Sequence, residues 1–244
     1  MAEITAVLSG KGGAGKSTFC VGVGQALERL GRKVLLIDAD AGNKSLDLLL
    51  GVDEMTVFDW QDVLLNRCPP EKALLFAGEN LRLLPAPANF TESAPTLEDF
   101  KRLIDLWSAD FDYIFLDTPA SMGETAMHCA QTADKCIIIA TPDEVSARSA
   151  FNTGTALISS GISEENLRLV INRFDAFAVK RGRLLNADDM IDRTYLRLLG
   201  IVPEQRELMY SSVKEYPFSQ LFEVQAAFEN IAGRILGKEI PLIL

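Results

Sequence analysis

The chain has 244 residues, 48% apolar and 24% charged, a mix that folds and is too apolar for intrinsic disorder, while four cysteines are too few for a disulfide-built scaffold. Twenty-four lysines and arginines against 34 acids leave a net charge of −10, which repels polyphosphate and anionic lipid unless a local basic patch overrides it. No apolar run approaches the roughly 18 residues of a spanning helix and the first residues read as a strand, so neither export nor a membrane span is expected. The length suits one domain over residues 1–244.

The first expected strand, residues 4–8, runs into Ser9-Gly10-Lys11-Gly12-Gly13-Ala14-Gly15-Lys16-Ser17-Thr18, and a helix is expected over 16–30. Gly10 to Ser17 fits G-x-x-x-x-G-K-[ST] in the strand, loop, helix context that the motif requires. Glycines let backbone N–H groups converge on phosphate oxygens, and the helix start adds its positive dipole end at the same point. Lys16 then reaches the β- and γ-phosphates and Ser17 offers a hydroxyl to Mg²⁺. Gly10, Gly12 and Gly15 also satisfy G-x-G-x-x-G, with Asp38 where a dinucleotide fold places its ribose acid. That alternative has no use for Lys16-Ser17 or for a later strand-end acid.

A second strand over 33–37 ends in Asp38 and Asp40, which share one face of an extended chain. One can support a metal's surroundings while the other orients attacking water; the bland alternative is a pair of solvated loop acids. Strand 81–84, helix 97–107 and strand 113–116 follow, the last ending in Asp117, a second candidate Mg²⁺ acid. Strand-end aspartates are also common turn formers, and the glycine loop is what favours the metal reading here. Thr118-Pro119-Ala120 then forms a loop suited to respond to the γ-phosphate.

Helices are expected over 124–132, 145–160 and 218–236, alternating with strands over 136–140, 167–171 and 198–202. In the last helix Leu221, Val224, Phe228, Ile231 and Ile235 recur at helical spacing. Near-continuous apolar strands need cover on both faces, so the fold expected is α/β, a mostly parallel sheet with helices on both faces. The Pro-rich stretches 68–70 and 85–87 are loops inside that domain. Cys20, Cys68, Cys129 and Cys136 form no C-x-x-C pair and read as reduced thiols, three of them in runs that should be buried. His128 lacks ligand-spaced neighbours, and the basic run at 180–183 reads as a solvated surface.

With Lys11 near the start of the loop, residues 11–17 resemble the deviant Walker A box of MinD/ParA-type P-loop ATPases. Asp38-Ala-Asp40, residues 46–51, Asp117-Thr-Pro-Ala, Pro142-Asp-Glu-Val-Ser146 and Ile201-Val-Pro-Glu204 look most like the MinD branch. The resemblance covers nearly the whole chain and implies a P-loop NTPase fold of deviant Walker A type with ATP and Mg²⁺ as cofactors. It implies that Lys11 reaches across an ATP-sandwiched homodimer to the partner's phosphates, that Lys16 and Ser17 bind phosphate and Mg²⁺ in their own subunit, and that Asp40 orients the hydrolytic water. Lys11, Lys16 and Asp40 are thus the candidate catalytic residues, and Ser17, Asp38 and Asp117 the candidate metal residues. Gly10, Lys11, Gly12, Gly13, Ala14, Gly15, Lys16, Ser17 and Thr18 would cradle the phosphates, and Asn172, Arg173, Pro203 and Glu204 would flank the adenine.

The expected function is an ATP-hydrolysing switch, cycling between ATP and ADP, that dimerises with ATP and acts with an activating or cargo protein in spatial regulation such as division-site placement, flagellar number or cargo positioning. Two alternatives share the scaffold: a DNA-bound partition ATPase, against which the net charge argues, and a metallochaperone, against which the spacing of Cys129 and Cys136 argues. Two departures stand out. Asn43-Lys44-Ser45 stands where MinD sequences commonly place an Arg-Asn pair, which leaves partner contacts there open. Residues 237–244 carry one lysine, one glutamate and a proline in place of the basic amphipathic anchor that MinD proteins usually have. A cytoplasmic protein is expected, with contact to the inner face of the membrane left open; the apolar tail 240–244 could dock on its own domain, a partner or a bilayer.

Overall fold

The computed structural model describes residues 1–41, 43–88, 94–205 and 221–242. In chain order the elements are β1 (Glu3–Leu8), α1 (Lys16–Arg29), β2 (Val34–Asp38), α2 (Leu46–Leu50), α3 (Trp60–Leu64), β3 (Leu75–Phe76), β4 (Leu81–Leu84), α4 (Leu97–Trp107), β5 (Tyr113–Asp117), α5 (Glu124–Thr132), β6 (Lys135–Ala140), α6 (Glu144–Ser159), β7 (Leu167–Phe174), α7 (Ala176–Lys180), α8 (Ala187–Thr194), β8 (Arg197–Pro203) and α9 (Phe222–Ile235). Every expected strand and helix has its counterpart, with ends moved by a few residues; the expected start of the last helix at 218–220 lies outside the described residues. The two-residue β3 and the short helices α2, α3, α7 and α8 were not expected, because so few residues show no clear hydrophobic period.

Among the described residues one eight-stranded sheet runs in the order β3-β4-β2-β5-β1-β6-β7-β8, and its pairings are parallel except for the edge pair β3–β4. Side chains alternate between its faces. Ile4, Ala6, Leu8, Leu35, Ile37, Ile114 and Leu116 join the core under α3, α4, α5, α6 and α8. Val7, Val34, Leu36, Phe115, Ile137 and Val170 join the core under α1, α2 and α9. With both faces covered, the strands have no polar side and read as continuous apolar runs.

Local signals set the helix starts. Thr96 accepts from the Asp99 amide at 3.2 Å while the Asp99 carboxylate accepts from the Thr96 amide at 2.9 Å, a capping box that begins α4. The basic run at 180–183 closes α7, with the Arg181 guanidinium 4.8 Å from the centre of the Phe177 ring. His128, on α5, faces the Pro95 carbonyl at 3.2 Å through Nδ1, and all four cysteines are buried free thiols.

The helices α1 and α9 meet through Phe19 and Phe228, whose ring centres lie 6.1 Å apart. A Cβ on Gly22 would run into the Phe228 ring, which is fully buried and has no room to yield. Gly22→Ala is therefore expected to lower stability by about 1–2 kcal/mol, overpacking of about 1–3 kcal/mol outweighing the better helix propensity of alanine. The midpoint of urea unfolding checks this, and an unchanged or higher midpoint would refute it.

The tail turns back onto α9. Arg234 donates to the carbonyls of Leu199, Ile240 and Pro241 at 3.0, 3.0 and 2.8 Å, and Ile240 occupies the space that Gly233 leaves. Of the three sites considered for the tail, its own domain holds it through Pro241; residues 243 and 244 lie outside the described residues. No helix among the described residues is long and apolar enough to cross a membrane.

Candidate functional site

Parallel strands end together, so β1, β2 and β5 present Leu8, Asp38 and Asp117 at one sheet edge, where open α/β folds bind ligands. The register sets Asp117 of β5 opposite Val7 of β1 on one side and opposite Asp38 of β2 on the other. The glycine loop therefore leaves the sheet beside the two acids.

Two glycines are dictated by their surroundings. A Cβ at Gly10 would strike Ser149 and Thr153 of α6, so this residue lets the loop pass against that helix. Gly15 combines a φ of +96° with the Asn172 amide lying where its Cβ would be, and Asn172 donates to the Ala14 carbonyl at 2.8 Å. Gly15 precedes α1, whose first turn carries no side-chain cap, so its N–H groups are left for whatever the loop encloses. Lys16 is only 7% exposed; its Nζ donates to the Ser9 hydroxyl at 3.3 Å, and that hydroxyl donates to the Lys11 carbonyl at 3.0 Å.

The acids differ in how they are satisfied. Asp38 accepts from the Asp40 amide at 3.0 Å with one oxygen and from the Ser45 and Leu46 amides at 3.2 and 3.3 Å with the other, which ties the strand end to α2. Burial, with Asp40 and Asp47 nearby, still raises its carboxyl to about 6. Asp117 is fully buried and neither of its oxygens has a hydrogen-bond partner among the described residues. Its carboxyl is pushed up to about 8, by burial first and the charge of Asp38 second, with Ser17 and Lys16 pulling the other way. A buried carboxylate left without a partner costs several kcal/mol when ionised. Asp117, Asp38 and the Ser17 hydroxyl offer hard oxygen donors beside the buried Lys16, a set that fits Mg²⁺. The Ser17 hydroxyl accepts from that of Ser45 at 2.9 Å, so ligation at Ser17 competes with a contact at the start of α2. Asp40 is half-buried, and its carboxylate accepts from Asn43 at 3.2 Å.

At the other end of the loop, Gly15, Thr18, Asn172, Arg173, Pro203 and Glu204 line one small pocket of about 60 Å³. The Glu204 amide donates to the Phe174 carbonyl at 3.0 Å, which joins the ends of β7 and β8. Arg173 adopts φ +57° in the irregular stretch of β7 and also lines a larger cavity of about 390 Å³ with Lys11, Gly12, Gly13 and Asp143. Lys11 stands apart from Lys16. It is half-exposed, with Nζ 3.7 Å from an oxygen of Asp143, the residue that caps α6. Burial would raise the Asp143 carboxyl, but hydrogen bonds from Thr141 and Ser146 and the charge of Lys11 hold it below its ordinary value.

Of the residues singled out in the sequence, Lys16 and Ser17 at the start of α1 stand with Asp38 and Asp117 at the strand ends and Asp40 just beyond β2; Gly15, Thr18, Asn172, Arg173, Pro203 and Glu204 line the small pocket; Lys11, Gly12, Gly13 and Ala14 line the larger cavity with Asp143; and Gly10 lies against α6. Sequence reasoning did not identify Ser9 as the partner of Lys16, Ser45 as that of Ser17, or Asp143 as that of Lys11. Ser9 stands immediately before the loop, a signal that could have found it; Ser45 and Asp143 carry no local signal of those contacts.

Comparison with known proteins follows the same outline. An AAA domain family model matches residues 2–167. The septum site-determining protein MinD of Synechocystis sp. is 36% identical over 248 residues, spanning 100% of this chain and 92% of the relative. The solved MinC:MinD cell division protein complex of Aquifex aeolicus contains a chain with a TM-score of 0.90 and 34% identity, covering 100% of this chain and 99% of that one. The septum site-determining protein MinD of Pyrococcus horikoshii, complexed with Mg-ADP, shares the fold at a TM-score of 0.84 and 24% identity, over 98% of this chain and 100% of that one.

Proposed function

From the premise that this chain belongs to the MinD family of P-loop ATPases, we propose that residues 1–244 act as one Mg²⁺-dependent ATPase switch, which dimerises around ATP and resets on hydrolysis. The observation that carries the reading is Asp117, a fully buried carboxylate without a hydrogen-bond partner among the described residues, beside Ser17 and Lys16 at the open start of α1. A phosphate chain and its cation would provide the charge partners that this arrangement lacks.

The N–H groups of residues 10–18 and the Lys16 ammonium hold the phosphate oxygens, and the α1 dipole favours the same negative charge. Asp38, Asp117 and Ser17 hold Mg²⁺, which when bound neutralises phosphate charge. Asp40, on the loop tied to Asp38, orients the attacking water; positioning supplies most of the acceleration in phosphoryl transfer. Asn172, Arg173, Pro203 and Glu204 receive the base. Lys11, half-exposed and among the described residues paired only through a long contact with Asp143, is free to turn toward the phosphates of a second subunit. A surface ion pair at 3.7 Å contributes no more than about 1 kcal/mol, a small restraint on that movement.

The output is spatial regulation through an activating or cargo protein, in division-site placement, flagellar number or cargo positioning. The solved Aquifex relative is a complex with MinC, which supports a protein partner here. Asp40→Ala is expected to bind Mg-ATP, stop hydrolysing it and accumulate at twice the monomer mass in light scattering, with Mg-ADP leaving it monomeric. A variant that binds a fluorescent ATP analogue yet keeps the monomer mass would overturn the dimer; one that dimerises equally in ADP would overturn the switch. Co-sedimentation of the same variant with anionic liposomes, in ATP against ADP, decides whether the inner face of the membrane is a place of action.

A further inference from the structure

The backbone that carries Asp38 and Asp40 is held by a side chain that no sequence motif singles out. The last register pair between β2 and β4 is Ile37 with Leu84, and Pro85 follows, without an N–H to continue the ladder. Trp60, the first residue of α3, closes that gap twice. Its backbone N–H donates to the Pro85 carbonyl at 3.1 Å, and its indole Nε1–H donates to the Asp38 carbonyl at 2.9 Å. The next group along, the Ala39 amide, donates to the Asp117 carbonyl at 2.9 Å, so the peptide between Asp38 and Ala39 is fixed at both its oxygen and its nitrogen. The ring has no freedom to drift: Trp60 is 2% exposed, and a capping box between Asp59 and Asp62 starts its helix.

We propose that Trp60 is a positioning residue for the acidic pair, setting the peptide plane from which Asp38 and Asp40 project. The assignment rests on the reading of those acids as part of the phosphate site. A rotation of the 38–39 peptide would move the Asp38 carboxylate, which already spans the Asp40, Ser45 and Leu46 amides, and would carry Asp40 with it. Such sub-ångström displacements in a positioned site cost rate far more than binding. The same contact makes the indole an optical reporter of the strand end.

The test uses both tryptophans, since the chain has only Trp60 and Trp107. Trp60→Phe keeps a buried aromatic ring but removes the pyrrole ring and with it the N–H. It is expected to lower kcat for ATP by about tenfold while KM changes by less than about twofold, the rates being normalised to the folded fraction measured by circular dichroism. Trp107→Phe, the matched control on α4, is expected to keep kcat within about twofold. In Trp107→Phe, where Trp60 is the sole tryptophan, emission is expected to shift with Mg-ATP and to shift less with ATP in EDTA. A folded Trp60→Phe protein with full kcat overturns the proposal, as does sole-Trp60 emission that does not respond to Mg-ATP; the emission titration decides the matter if Trp60→Phe does not fold. If the wild type itself fails to bind a fluorescent ATP analogue, it is the nucleotide reading that has failed, and this proposal falls with it.

Discussion

Lys16→Ala is expected to lower ATP hydrolysis by at least about 100-fold and to weaken ATP binding together with it. The lysine is 7% exposed and its ammonium donates to Ser9, so its charge stands in a site from which water is largely excluded. Each interaction with a phosphate oxygen is worth more there than at the surface. The loss also removes a cation that counteracts the upward push on Asp117, so the acid becomes still harder to ionise. Truncation to alanine thus weakens the phosphate site and the metal site together. Phosphate release and titration with a fluorescent ATP analogue would measure the two effects. A variant within about threefold of wild type in both would remove Lys16 from the site and the P-loop reading with it. Lys11→Ala separates the two lysines: the Lys11 side chain is half-exposed and turns to Asp143, and only its backbone carbonyl meets Ser9, so nucleotide binding to the monomer should survive while dimerisation is lost.

The second large effect concerns stability. Without a ligand, Asp117→Asn is expected to melt above the wild type at pH 8, by about 5 °C or more, although it removes a site residue. The Asp117 carboxyl is raised from its ordinary 3.8 to about 8. Below about pH 4 the folded and unfolded chains both hold it protonated, and its stabilising contribution is fully present. As pH rises from 3.8 toward about 8 the unfolded chain releases the proton first, so folding loses stability across that window. The total is on the order of several kcal/mol, since one pKa unit corresponds to about 1.4 kcal/mol. Asp38, raised to about 6, adds loss of the same sign over the lower part of the window. Asp143, held below its ordinary value, titrates beneath it and does not mask the slope.

Asparagine has the shape of the acid without its charge, so the variant should show a flatter profile from pH 5 to 8.5 in EDTA, followed by circular dichroism. Parallel profiles for the two proteins would show that Asp117 has a partner in solution and is not the strained acid described here. Saturating Mg-ATP should raise the melting temperature of the wild type most at pH 8, where an ionised Asp117 gains its counter-charge, and should do little for Asp117→Asn. The strain in the ligand-free protein and the affinity for the cation thus have one origin.

What could be read from the chain itself was local. Ile4 to Leu8, Tyr113 to Leu116 and Cys136 to Ala140 announce buried parallel strands because an apolar run needs no context to be recognised. Residues 10–17 announce a phosphate loop because its glycines, Lys16 and Ser17 are contiguous, and Asp38 and Asp117 were found because each ends such a run. Amphipathic spacing was enough to place α9. The short α2, α3 and α7 left no such trace, and with them went the contacts of Ser45 and Trp60. Those contacts, and the pairing of Lys11 with Asp143, exist only once the sheet has set its register. Asn172 reaches the Ala14 carbonyl across 158 positions, and Thr118 reaches the Val7 carbonyl across 111. That Asp117 is buried without a hydrogen-bond partner among the described residues was likewise decided by β1 and β2 closing on either side of β5. The sequence by itself determined which groups the site contains, since local patterns carry residue type and strand ends. Tertiary structure alone decided their desolvation and their partners, because both depend on chain segments that are far apart in sequence and meet only through strand order.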